Sequence, residues 1–421
     1  MAAHPRRRTR YPWLVFGVAL VSLAFSGCSR RDLGAPEPVA SRTADTFHHS
    51  RYRGQAVHLE GRVRSGAIWE IDKPANWNRA LVVYLHGYTT PSDPVALPHN
   101  EAIRDSLVAR GYAVAASSYS SNGFAAREGV RESDALREIF RDRIGEPRRT
   151  YLFGQSLGGL IGLLLTQRSE DDYDGSFLVC GIVGTSIDEI QYIGDIRVLF
   201  DAVYGPVLPG DLEHSPVITD INTQLVGPIV AAVNKNPQGL GIIQLLARHP
   251  LAGNNAQEIV TSLVTALGFS VQGGSDLFAR TQSQSFFDNA TWTYSSAALP
   301  PPLVADINAR VARYTRSAAA DQFLRRYGEP SPRLRIPLLS LHTTRDPVVP
   351  AWHEDRLAQV VSSPLLIQRR VDRYGHCPFS AGELMVHFND LVNFANTVDK
   401  DDDDLVAQDD EVVAGTPAAE R

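Results

Sequence analysis

What most constrains this chain is a series of short, unbroken apolar runs that end at turn residues and alternate with helix-like stretches. Ala80-Leu-Val-Val-Tyr-Leu-His86 has no polar alternation and stops at Gly87, the texture of a strand buried on both faces of a parallel sheet. Tyr112–Ser118, Arg149–Phe153, Ser176–Val183, Pro337–Leu341 and Pro364–Gln368 read the same way. Asn100–Gly111, Arg127–Ile144 and Leu157–Gln167 read as helices between them, the first closed by its glycine, and Leu384–Val398 as a closing helix. Strands alternating with helices predict an α/β fold with a mostly parallel sheet flanked by helices. The alternation stops across residues 188–335. There the segments Ile229–Asn234, Ala256–Leu267 and Leu303–Tyr327 are broken by Gly, Pro and Ser, so a mainly helical cap is expected. It follows the strand after Arg149–Phe153 and splits the α/β body into residues 54–187 and 336–398.

Both ends of the chain stand apart from that body. Arg6, Arg7, Arg8 and Arg10 precede an apolar run from Trp13 to Phe25, too short for a comfortable membrane span and suited to a signal peptide over residues 1–27. Phe25-Ser26-Gly27-Cys28 resembles a bacterial lipobox, which implies lipidation of Cys28, export and membrane anchoring. A plain cleaved signal and an uncleaved anchor are the alternatives. Residues 28–53 are polar and irregular, as a flexible tether would be. Residues 399–421 read as an acidic, disordered tail: Asp399 to Glu411 holds eight acids against Lys400, more charge than the whole-chain net of −6. The body is therefore near neutral and has no basic stripe for nucleic acid.

Gly154-Gln155-Ser156-Leu157-Gly158 lies between a strand and a helix, where G-x-S-x-G sets a serine on a tight turn with its hydroxyl above the sheet edge. A nucleophile placed there needs a base and an orienting acid. Asp346 lies just past the strand Pro337–Leu341, and His376, after Gly375, lies past the last strand. Glu354 and Asp355 compete with Asp346 but sit on a helix starting near Trp352 and read as surface charges. Among twelve histidines, His342, His353 and His387 lack the right loop position. Attack on a carbonyl would need an oxyanion hole, for which the backbone N–H groups of Tyr88 and Leu157 are in place.

Strand-His86-Gly87, the Ser156 elbow, the late Asp346 and the terminal His376 together resemble the α/β-hydrolase superfamily over about residues 56–398. Trp77-Asn78, Cys180-Gly181, Asp288-Asn289, Asp346-Pro-Val-Val-Pro350 and Gly375-His376-Cys377 are similar to secreted bacterial esterase-like and prolyl-oligopeptidase-like members. The resemblance implies an α/β-hydrolase fold and the chain order Ser156, Asp346, His376 for a catalytic triad.

Hydrolysis of a carboxylic ester through an acyl-enzyme is the leading expectation. Peptidase or amidase chemistry and acyl transfer use the same residues, and a non-catalytic binding lipoprotein has no need of them. Leu199, Phe200, Ile242 and Leu245 would either line an acyl pocket or form the cap's own core. No His/Asp/Glu cluster has metal-ligand spacing and no nucleotide fingerprint appears, so no metal or organic cofactor is expected. Cys180 and Cys377 fall at the ends of neighbouring strands, where an exported protein could join them in a disulfide.

Overall fold

The computed structural model describes Tyr52 and residues 54–412, the last fourteen of these as helix backbone only. The expected signal segment, Cys28, nearly all of the tether and residues 413–421 of the acidic tail lie outside the described residues. Among the described residues no helix is long and apolar enough to cross a membrane.

Eight strands form one sheet in the order β1-β2-β4-β3-β5-β6-β7-β8. They are β1 (Val57–Arg62), β2 (Ile68–Lys73), β3 (Ala80–Leu85), β4 (Ala113–Ser117), β5 (Arg149–Gln155), β6 (Gly175–Val179), β7 (Leu338–Arg345) and β8 (Leu366–Tyr374). β3 to β8 pair in parallel, and β1 and β2 add an antiparallel edge. The apolar runs land where their texture requires. Every residue of β3, β4 and β6 is buried, because helices cover both faces. The edge pair was not anticipated. β1 alternates half-buried and exposed residues, and β2 carries Glu70, Asp72 and Lys73, so neither shows the unbroken apolar signal.

Helices α1 (Glu101–Ala109), α2 (Ala126–Arg143) and α3 (Leu157–Arg168) follow β3, β4 and β5. Six more lie between β6 and β7: α4 (Ser186–Tyr204), α5 (Gly227–Lys235), α6 (Pro237–Leu246), α7 (Ala256–Arg280), α8 (Pro301–Arg310) and α9 (Ala318–Gly328). The sequence reading missed α4 and α6 and ended α7 thirteen residues early, at Leu267. α4 has no polar stripe, since it is the central helix of the insert and buries Ile190, Tyr192, Ile196, Leu199 and Phe200 all round. Gly268, followed by Gly273 and Gly274, made α7 look broken. A Cβ on Gly274 would stand 2.0 Å from the Leu212 carbonyl oxygen, so glycine permits a close crossing rather than ending the helix. α10 (Trp352–Val360) and α11 (Ala381–Val412) complete the fold. α11 passes Val398, where the acidic run suggested an end, because no glycine or proline interrupts residues 399–412.

α7 is fastened to the α/β body near both ends. Toward its start, the Tyr374 hydroxyl donates to the Glu258 carbonyl at 2.9 Å and lies 3.1 Å from Ser262 Oγ. At its end, Arg280 pairs with Glu128 of α2 at 3.0 Å and donates to the Asn122 carbonyl at 2.6 Å, while Asp276 accepts from the Phe124 N–H at 2.8 Å. Glu128 is only 5% exposed, so it depends on its cationic partners. Arg280→Ala is expected to destabilise the protein by about 1–3 kcal/mol in urea unfolding, the usual cost of stranding buried polar groups.

Candidate active site

The residues singled out as candidates gather at one edge of the sheet because each directly follows the carboxyl end of a parallel strand. Gly87 and Tyr88 lie beyond β3, Ser156 beyond β5, Cys180 beyond β6, Asp346 beyond β7 and His376 beyond β8. That edge is where open α/β sheets bind ligands. Backbone bonds continue the ladder past the strand ends: Ser156 N–H donates to Val179 O at 2.9 Å, and Cys180 N–H to Leu341 O at 2.8 Å.

Ser156 has φ 57° and ψ −121°, a conformation that L residues rarely adopt. Three glycines make its turn possible. A Cβ would come 2.2 Å from Gly158 O at Gly154, 2.0 Å from Leu85 O at Gly158 and 2.5 Å from Gly181 Cα at Gly159. The elbow is thereby pressed against the ends of β3 and β6. α3 begins at Leu157, so the Leu157 N–H has no acceptor within its own helix and lies at the positive end of the helix dipole.

His86 acts on the neighbouring peptide. Its ring is buried and stacks on Tyr119 with centroids 3.9 Å apart, and burial lowers its pKa to about 4, so it is neutral. His86 Nδ1 donates to Gly87 O at 2.8 Å. In a trans peptide the carbonyl and the next N–H point in opposite directions, so this bond also fixes the direction of the Tyr88 N–H.

Asp346 is fully buried. Its Oδ1 accepts from the Val348 and Val349 N–H groups at 2.8 and 3.0 Å, and its Oδ2 accepts from His376 Nδ1 at 2.8 Å. A register shift between Thr343 and Arg345 precedes it and re-aims the chain at the strand end. The His376 loop is tied back by Gly375 N–H to Arg345 O at 3.0 Å and by Thr343 Oγ1 to Gly375 O at 2.7 Å. Burial disfavours a charged His376 ring, but the Asp346 carboxylate and the Cys377 thiol outweigh it and raise the pKa to about 10. With Nδ1 committed to Asp346, Nε2 is the nitrogen left to exchange a proton, and it accepts one only in the deprotonated ring, which so high a pKa makes the minor form at neutral pH. Among the described residues no hydrogen bond joins Ser156 to His376.

Ser156 opens into a cavity of ≈ 80 Å³ lined mainly by apolar side chains, including Phe124, Ile190, Phe269 and Phe286. A single water needs about 10–15 Å³, so the space suits a short apolar group. α4 and α7 supply much of the wall. Leu199 and Phe200, weighed as pocket residues, instead belong to the insert's own core; Ile242 packs at its margin and Leu245 is exposed.

Two further expectations change, those for Glu354 and for the cysteine pair, while the one for Asp355 holds. Glu354, expected at the surface, is fully buried and accepts from Ser340 Oγ at 2.5 Å and Gln368 Nε2 at 2.6 Å, because α10 packs its first turn against the sheet. Asp355 is exposed and pairs with Arg370 at 2.6 Å. Cys180 and Cys377 do come together, but both are free thiols and the expected disulfide is not formed. Cys377 Sγ is instead directed at the Val179 carbonyl, 3.6 Å away.

Sequence reasoning missed Glu189, which lines the pocket beside Ser156. The Gly184 N–H donates to His353 Nδ1 at 3.0 Å, so His353 Nε2 carries the proton and donates to Glu189 Oε2 at 2.9 Å. Burial pushes the Glu189 carboxyl well above its usual range, and the Asp346 carboxylate adds to the shift. The available signal was Thr185-x-x-Asp188, a helix start whose Thr185 side chain accepts from the Asp188 N–H at 2.8 Å.

Residues 82–387 match the model of the alpha/beta hydrolase family. The chain belongs to that family. Solved structures similar to this α/β hydrolase include an esterase from Exiguobacterium antarcticum, 13% identical over 81% of this chain and 100% of that one, with a TM-score of 0.37. A monoacylglycerol lipase from Paleococcus ferrophilus is 14% identical over 81% and 99%, TM-score 0.36. The mouse alpha/beta hydrolase domain-containing protein 10 is 12% identical over 83% and 100%, TM-score 0.35. The curated proteins include no match to this hydrolase.

Gly158→Ala tests the elbow. The added methyl would overlap the Leu85 carbonyl, and overpacking of this kind costs about 1–3 kcal/mol. A lower urea midpoint with reduced activity is expected; unchanged stability would show that the elbow can move off β3.

Proposed function

We propose that this α/β hydrolase cleaves a carboxylic ester through an acyl-enzyme on Ser156, with His376 as base and Asp346 as its orienting partner. The observation that carries the reading is a serine in strained backbone at the floor of an apolar pocket, on the same sheet edge as a 2.8 Å Asp346–His376 pair. Ser156 Oγ attacks the ester carbonyl carbon as His376 Nε2 takes its proton. The oxygen that becomes negative is received by the Tyr88 and Leu157 N–H groups. Collapse expels the alcohol, which takes the proton from His376. Water then repeats the sequence, releasing the acid and restoring Ser156. Asp346 holds the His376 tautomer and stabilises the ring while it is charged.

Glu189 bears on the choice between ester and amine-ended peptide. Its carboxyl is bonded to His353 and shifted by burial toward the neutral form. An uncharged acyl group suits this wall better than an ammonium end, which favours ester over aminopeptidase chemistry.

Wild type is expected to hydrolyse short p-nitrophenyl esters in preference to aminoacyl p-nitroanilides and to be labelled by a fluorophosphonate. Labelling that survives Ser156→Ala would remove that residue from the role. Asp346→Asn should lower kcat about 10³–10⁴-fold.

Export and a lipid anchor at Cys28 complete the proposal, motivated by the basic start, the short apolar run and Ser26-Gly27-Cys28. Stable attachment takes more than one acyl chain, each buried CH₂ contributing about 0.8 kcal/mol. Cys28→Ser should move the enzyme from the membrane to the soluble fraction; an unchanged distribution would favour an uncleaved anchor.

A further inference from the structure

Beside the candidate triad lie two thiols that ester hydrolysis does not use, close to its histidine. Cys180 Sγ, Cys377 Sγ and a ring nitrogen of His376 all lie within 4.8 Å of one another. They come from two loops almost two hundred residues apart in sequence, one after β6 and one after β8. Cys180 is fully buried, whereas Cys377 and His376 are partly exposed, so an ion would enter from their side.

Packing alone does not explain both thiols. Cys180 has φ 48° and Cys377 φ 50°, in the left-handed region where glycine or asparagine would sit at lower cost. Two thiols held there, facing each other and an imidazole, match the soft donor set that binds zinc in preference to magnesium or calcium.

We propose that Cys180, Cys377 and His376 form a site for a thiophilic divalent ion, zinc above all, and that filling it silences the hydrolase. Around zinc, with Zn–S about 2.3 Å and Zn–N about 2.1 Å, donors stand roughly 3.5–3.8 Å apart, so closing from 4.8 Å takes a shift of about 1 Å. Gly375, at φ 118°, gives the His376 loop the freedom to make it. Both thiols and the ring nitrogen of His376 that binds lose their protons to solvent, no electrons are transferred, and water fills the fourth position. Whichever ring nitrogen binds, one contact of the triad is lost, because Nδ1 serves Asp346 and Nε2 is the nitrogen that Ser156 requires. This silencing rests on the role proposed for His376; the binding itself does not.

The test uses the full chain, reduced with a phosphine and with its free thiols counted. Titration with Co²⁺ should give a one-to-one complex with a thiolate-to-cobalt charge-transfer band that Zn²⁺ abolishes. Zn²⁺ should suppress p-nitrophenyl ester hydrolysis, and EDTA should restore it. Cys180→Ser should keep its uninhibited activity while losing the band and weakening zinc binding by about 100-fold or more. Cys377→Ser should likewise lose the band and weaken zinc binding, and serves if Cys180→Ser does not fold. Absence of the band from the reduced wild type, or its survival in both variants, overturns the site. A complete band with undiminished hydrolysis overturns the silencing. If the protein hydrolyses no ester at all, the proposed function fails while the cobalt titration still decides the site.

Discussion

The contact on which the rest of this structure depends is the close approach of the β5–α3 turn to the ends of β3 and β6. Gly158 lies where any Cβ would overlap the Leu85 carbonyl, and Gly159 meets Gly181 almost backbone to backbone. That proximity lets the start of α3 sit directly above the sheet edge, and it forces Ser156 into a conformation that only surrounding structure can hold. Gly87 lies against Ser156, its Cβ position 3.1 Å from that side chain's Cβ. Strain at Ser156 and the closeness of Gly87 to it are one packing event.

The insert contributes differently. Its core, around Tyr192, Leu199, Phe200 and Phe287, is largely its own, yet α4 and α7 turn one side toward Ser156 and form much of the pocket wall. A wall made of helices can be displaced unless it is tied down, and α7 is bonded to the body near both ends. The pocket wall is thus fixed by polar contacts lying outside the pocket, while the pocket itself is mainly apolar. Glu189 is the exception, and His353 and the Gly184 peptide fix its hydrogen bonding from behind.

The buried polar groups behind the sheet edge form a supporting layer. Asp346 is held by two backbone N–H groups as well as by His376, so its orientation does not depend on the histidine. His86, neutral and stacked on Tyr119, sets a peptide rather than a substrate. Each removes rotational freedom from a group that would otherwise have to be ordered when a substrate binds.

The sequence by itself determined the parallel sheet, the elbow and the order of the candidate residues. These rest on local signals: unbroken apolar runs, a glycine pattern around Ser156, and loops that begin where strands end. It missed β1, β2 and α4 because none carries a clean local signal: β1 is a half-exposed edge strand, β2 holds charged residues, and α4 is a buried helix without a polar stripe. Glu354 looked solvated on its helix, yet the packing of α10 buried it beneath Ser340 and Gln368. Only the tertiary structure could decide which insert residues face Ser156 and which face one another. The strand ends already brought Cys180 to Cys377, but only the tertiary structure decided that they stay free thiols beside His376, because strand order says which loops meet and not which side chains bond.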